Sequence, residues 1–191
     1  MRTAHYERKT KETDITLDIC LDGGEIEVST GIGFFDHMLC AFAKHGGFGL
    51  KLKAVGDLEV DGHHTVEDVG IVLGKAMLEA LGGREKIVRY GTKFIPMDES
   101  LAFCSVDVSG RPYLVFDASF EEAVVGEFDT CLTQEFFRAF TFNAGITMHI
   151  SIVTGLNAHH MIEAMFKAAA HAIKEAVAVT DTTLSTKGCI D

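Results

Sequence analysis

The chain repeats itself, and that fact narrows its fold more than any other. DHMLCAFAKHGGFGLKL, from Asp36, falls without a gap on QEFFRAFTFNAGITMHI, from Gln134. Apolar positions match apolar positions, and Gly47 meets Gly145. HHTVEDVGIVLGKA, from His63, then falls on HHMIEAMFKAAAHA, from His159, after a two-residue deletion. A duplicated chain of 191 residues implies one domain of two equivalent units, about 1–95 and 96–191, that bury surface against each other.

Periodicity gives each unit its elements. DITLDICL alternates with Ile15, Leu17, Ile19 and Leu21 on one face, a half-buried strand, and after Gly23-Gly24 EIEVST reads as its hairpin partner. FFDHMLCAFAKHGG has helical spacing and stops at Gly46-Gly47; FGLKLKAVG alternates again. HHTVEDVGIVLGKAMLEALGG is a second helix, striped by Val66, Val69, Leu73, Met77 and Leu81. In the second half LAFCSVDVSG, RPYLVFDAS and ITMHISIVTG read as strands, with LTQEFFRAFTFNAG and HHMIEAMFKAAAHAIKEAVA as helices. Each unit is therefore a strand pair, helix, strand and helix. The predicted class is α+β, two sheets with helices packed on one face.

Composition removes several function classes. With 47% hydrophobic residues the chain has enough apolar surface to fold, and no run approaches the roughly 18 apolar residues of a membrane span. MRTAHYERKTKETD lacks the apolar region of a secretory signal. Against 28 acidic residues stand 17 basic ones, and a net charge of -11 repels nucleic acid. Five cysteines, an odd count without CxxC spacing, predict free thiols in a reducing compartment, the cytoplasm.

The repeated chemistry is H-H-x-x-E at a helix start: His63, His64 and Glu67, then His159, His160 and Glu163. Residues four apart share a helix face, so His63 with Glu67, and His159 with Glu163, can hold one ion each. Adjacent histidines point about 100° apart, which sends His64 and His160 elsewhere. One copy could be a polar first turn facing water; two copies at equivalent positions point to metal. The alignment adds His37 opposite Glu135, both in first turns of helices. These eight residues divide into two sets of four, and their imidazole and carboxylate donors suit manganese, iron or zinc.

Other polar residues carry weaker signals. His149 aligns with Lys51 on a strand, His171 lies late in the last helix as a surface residue, and His5 carries no signal. His45 precedes Gly46 at a helix end, where a cation complements the dipole, and is also taken as a substrate contact. Basic residues near small ones, Arg89 before Gly91, Arg111 after Gly110, Lys167, and the tail Ser185-Thr186-Lys187-Gly188, suit a phosphate.

With these residues in place, the chain resembles the imidazoleglycerol-phosphate dehydratase family. STGIGFFDHML, KHGGFGLKLKAVGDLEVDGHHTVEDVGIVLG, MDESL, VDVSGRPYL, FFRAF, ITMHI, GLNAHHMIEAMFKA and STKG carry the resemblance, from about Thr10 to Gly188. The resemblance is to the stand-alone form of the enzyme, which is expected to carry no fused phosphatase domain. The resemblance implies two manganese ions per active site, bound between neighbouring subunits of a large homo-oligomeric shell with octahedral symmetry. Family ligands fall on His37, His63, His64, Glu67, His159, His160 and Glu163, and the remaining position, often histidine, is Glu135 here. Asp61-Gly62 replaces a pair of acidic residues before the first histidines. Phosphate-binding positions fall on Arg89, Arg111, Lys167, Ser185 and Lys187, and a substrate-contacting glutamate on Glu12.

The implied reaction turns a small phosphorylated imidazole, imidazole glycerol phosphate, into imidazole-acetol phosphate, a step of histidine biosynthesis. The substrate has no carbonyl to acidify its C–H, so the ring must supply the electrons. A metal on each ring nitrogen stabilises an imidazolate, which expels the C3 hydroxyl to give a diazafulvene. A base removes the C2 proton, and the enol ketonises. Glu12, Glu67 and Glu163 are the candidate catalytic carboxylates. A non-catalytic metal-binding oligomer would explain the histidine pairs but not the basic residues. A small-molecule kinase would need a GxxxxGK[ST] loop, which the sequence lacks.

Overall fold

The computed structural model describes residues 1–182; Ser185, Lys187 and Cys189 lie outside the described residues. The first repeat runs β1 (Thr3–Lys9), β2 (Thr13–Cys20), β3 (Ile26–Ser29), α1 (Gly33–Gly46), β4 (Gly49–Gly56) and α2 (His63–Leu81). The second runs β5 (Tyr90–Met97), β6 (Ser100–Asp107), β7 (Tyr113–Asp117), a short ribbon of β8 (Val124–Val125) and β9 (Phe128–Asp129), then α3 (Leu132–Ala144), β10 (Thr147–Thr154) and α4 (Ala158–Ala176). Sheet orders are β1-β2-β4-β3 and β5-β6-β10-β7, one order written twice. Gly47 and Gly145 close α1 and α3 in the same left-handed conformation, φ 71° and 65°.

One expected pairing is different. EIEVST does not form a hairpin with β2; β3 crosses to the far side of β4 and runs parallel to it, Ile26 beside Leu50 and Ser29 beside Lys53. Gly23 and Gly24, at φ +105° and +147°, lie outside the left-handed pair that a tight type I′ reversal needs. The hairpin partner of β2 is β1, which the sequence pattern missed, as it missed β5. Both are sheet edges. β1 is mostly polar, and β5 carries Gly91 and Pro96, which weaken a strand's signature but are tolerated at an edge.

Alternation along the inner strands buries one face of each sheet: Ile15, Leu17 and Ile19 with Leu50 and Leu52, then Ala102, Cys104 and Val106 with Met148 and Ile150. The helices cover those faces, α2 over β1 and β2, and α4 over β5 and β6. The two helical layers then meet, α1 against α4 and α2 against α3. Phenylalanines fill the junction: Phe136 stacks on Phe166 at 5.0 Å between centroids and meets Phe35 edge-on at 5.5 Å, while Phe42 meets Phe140 at 5.9 Å. Each ring buried this deeply contributes roughly 1.5–3 kcal/mol. Every helix that carries a predicted ligand is thus pressed against a helix of the other repeat.

Candidate functional site

The α1–α4 contact assembles three of the predicted ligands. His159 enters α4 behind Asn157, whose side chain caps the helix by accepting from the His160 N–H at 3.2 Å. One turn on, Glu163 is buried, and its Oε2 lies 3.2 Å from His159 Nε2 and 3.5 Å from His37 Nε2. The three donor atoms lie within 4.8 Å of one another. Lys167 Nζ holds the other oxygen at 2.6 Å. Burial pushes the Glu163 carboxyl up, but the Lys167 hydrogen bond and charge, with His37, outweigh it and hold it below the ordinary range. Phe34 and the His159 ring meet edge to face, 5.0 Å between centroids. Two imidazoles and a charged carboxylate converging at this distance fit a first-row divalent cation.

The α2–α3 contact assembles the equivalent trio differently. His63 Nε2 lies 3.7 Å from Glu67 Oε2, and Glu135 projects from α3 beside them. Between the carboxylates sits the guanidinium of Arg138, with Nε 3.0 Å from Glu135 Oε2 and Nη2 3.5 Å from Glu67 Oε1. Among the described residues, the converged cluster of metal-binding donors is the His37–His159–Glu163 one.

His64 and His160 turn away from both trios. His64 Nδ1 lies 3.0 Å from Asp57, and its Nε2 is 3.8 Å from Glu12. His160 Nδ1 lies 2.8 Å from Glu99, and its Nε2 is 3.6 Å from Asp98. Glu12 and Glu99 hold equivalent places, in the β1–β2 and β5–β6 turns, whereas Asp57 reaches His64 from the loop after β4. The carboxylate hydrogen bonds raise both imidazoles above their ordinary value of 6.5, Asp57 acting on His64 and Glu99 on His160. The Asn157 backbone N–H, followed by His160, holds Glu99 far below the usual carboxylate range. Sequence reasoning missed Asp57, Asp98, Glu99 and Arg138. MDESL was visible, but the turn that carries Glu99 to a histidine sixty-one residues away is a product of the sheet.

The predicted substrate contacts fall into separate groups. Lys167 pairs with Glu163 of the first trio, and Glu12 is beside His64. His45 meets His171, Nδ1 to Nε2 at 3.1 Å, so His171 is half-buried rather than a surface residue. Arg89 and Arg111 converge on Asp107, Arg89 Nε at 2.7 Å and Arg111 Nη2 at 3.5 Å. The Arg89 N–H bonds the carbonyl of Ala176, the last residue of α4. Glu163 and Ala176 are separated along that helix by roughly 20 Å at 1.5 Å per residue.

A sequence model of the family described as imidazoleglycerol-phosphate dehydratase matches residues 30–173. The imidazoleglycerol-phosphate dehydratase of Clostridium kluyveri is 56% identical over 194 residues, covering 100% of both chains. That of Clostridium novyi is 58% identical over 187 residues, 96% of this chain and 95% of the other. The crystal structure of the Staphylococcus aureus enzyme is similar at a TM-score of 0.86 and 44% identity, over 93% of this chain and 99% of that one. The Pyrococcus furiosus enzyme, in complex with (S)-C348, is similar at 0.85 and 39% identity, over 96% and 99%.

Proposed function

The chain belongs to the imidazoleglycerol-phosphate dehydratase family, the hydro-lyases of histidine biosynthesis, and from that premise we propose that its reaction depends on divalent cations and runs in sites shared between subunits. The observation that carries the reading is the separation along α4. The candidate ion ligands lie at its start, and Arg89, paired with Arg111 through Asp107, lies at its end. A phosphorylated imidazole is too small to span roughly 20 Å, so the arginines that grip its phosphate must come from a neighbouring chain. His64 and His160, facing outward from their own trios, would complete the trios of neighbours.

In this reading His37, His159 and Glu163 hold one ion, and His63, Glu67 and Glu135 the other, with manganese favoured by the donor set. The ions supply Lewis-acid stabilisation of an electron-rich imidazole ring. The chain's own residues do the rest. Arg89, Arg111 and Lys167 bind and orient the phosphate. Among the described residues Glu163 is held by Lys167 and Glu67 by Arg138, while Glu12 has the His64 imidazole beside it at 3.8 Å and no lysine or arginine. Glu12 is the carboxylate free to move a proton at the substrate's C2. No helix among the described residues is long and apolar enough to cross a membrane, and four free thiols there suit the cytoplasm, where we place the enzyme.

Subunit mixing tests the shared site. Glu163→Gln and Arg111→Ala chains, each inactive or impaired alone, are unfolded together and refolded as a mixture. With each site drawing ion ligands and arginines from different chains, random assembly restores about a quarter of the wild-type sites. No gain over the parent variants would reject sharing.

A further inference from the structure

We propose that Arg138 is an internal counter-cation that occupies the second trio, His63–Glu67–Glu135, until a divalent ion displaces it, making the two ion sites of each chain unequal. This rests on the reading that both trios take divalent ions. The duplication supplies the comparison. In α1 the position equivalent to Arg138 is Cys40, and among the described residues Glu163 is paired with His37, His159 and Lys167, not with a guanidinium. The first trio's own cation, Lys167, approaches Glu163 from behind through Oε1 and leaves Oε2 aimed at both imidazoles. Lys167 in turn corresponds to Ile71 in α2, so the second trio lacks that arrangement.

Arg138 instead lies in front. It donates to Glu135 Oε2 through both Nε and Nη2, and to Glu67 Oε1 through Nη2 at 3.5 Å, bridging two helices. Two carboxylates left alone there would repel, and the guanidinium neutralises that repulsion while no ion is bound. An arriving cation must break charge-assisted hydrogen bonds and push a positive charge aside, two costs absent from the first trio. The first trio therefore loads before the second, and the second ion is the one lost first when metal is scarce.

The test is a Mn²⁺ titration of chelator-stripped full-length protein, following the paramagnetic resonance of free Mn²⁺. Wild type should bind in two phases of equal stoichiometry and different affinity. Arg138→Gln should tighten the weak phase at least tenfold and leave the tight phase in place. Arg138→Lys, which keeps the charge but loses the fork, should tighten it severalfold, and it carries the test if the glutamine variant fails to fold. Two phases that stay unchanged, or a weak phase that weakens further, would overturn the counter-cation role while leaving two-ion binding intact. A single phase of two equal sites in the wild type would overturn it too. Absence of Mn²⁺ binding by the wild type would bring down the ion reading along with it.

Discussion

His37 on α1 and Glu163 on α4 bring Nε2 and Oε2 to 3.5 Å, so each repeat contributes to a single donor cluster. The cluster exists because the helices exchange partners between repeats, α1 with α4 and α3 with α2. A duplication whose halves packed only on their own sheets would leave His37 and Glu135 as isolated surface groups.

Glu163→Gln keeps the shape and removes the charge. Turnover should fall by about a hundredfold or more, as expected when a group central to proton or ion handling is neutralised. Lys167, 16% exposed, would then face an uncharged amide, at a cost of about 1–3 kcal/mol. Steady-state kinetics and a calorimetric melt check both effects; an unchanged rate would remove Glu163 from the site.

Arg111→Ala should act on binding rather than chemistry. The phosphate lies away from the reacting carbons, so its grip is the same in ground and transition states. Loss of a charged hydrogen bond, about 1.5–3 kcal/mol, should raise KM roughly tenfold to a hundredfold with kcat little changed. A collapsed kcat at constant KM would contradict the phosphate role.

Gly74→Ala should destabilise the protein although alanine favours helix by about 1 kcal/mol. A Cβ there would lie 2.6 Å from the Phe140 carbonyl oxygen and 2.9 Å from the Ala144 nitrogen. These are backbone atoms of α3, which cannot rotate aside, so α2 must retreat at a cost of about 1–3 kcal/mol. The melting temperature should drop, and Mn²⁺ binding at the Glu67–Glu135 site should weaken while the His37–Glu163 site keeps its affinity.

The duplication, five elements of each repeat and the ligand-bearing helix starts were legible in the sequence because period and spacing are local. His63 with Glu67 and His159 with Glu163 follow from four-residue spacing on a helix. What was hidden is set by strand order and helix partnering. Arg138 is in plain view in FFRAF, yet a lone arginine reads as a solvated charge until α3 lies against α2. Asp57 and Glu99 become histidine partners only when a loop and a hairpin turn are brought to the helix starts. β1 and β5 were hidden because polar residues dominate β1, and Gly91 and Pro96 interrupt the apolar pattern of β5.

The pair His45 and His171 gives the protein an acid-sensitive contact. Burial lowers both imidazoles below 6.5, joined by the charges of Lys167 and His171 on His45 and of Lys174 and Lys93 on His171; Glu163 opposes weakly at His45. A ring-to-ring hydrogen bond of 3.1 Å needs one nitrogen bare, so it survives only while at least one imidazole is neutral. Below the unfolded value of 6.5 and above the lowered folded values, the unfolded chain binds more protons than the native one. Stability therefore rises with pH through that window, is fully present above it, and is lost as pH falls. With chelator present to remove ion effects, the melting temperature of the wild type should fall more steeply from about pH 7.5 to about pH 5.5 than that of His171→Leu, which has one buried imidazole fewer to protonate. Parallel slopes for the two proteins would show that the pair is already charged, or already parted, in the native state.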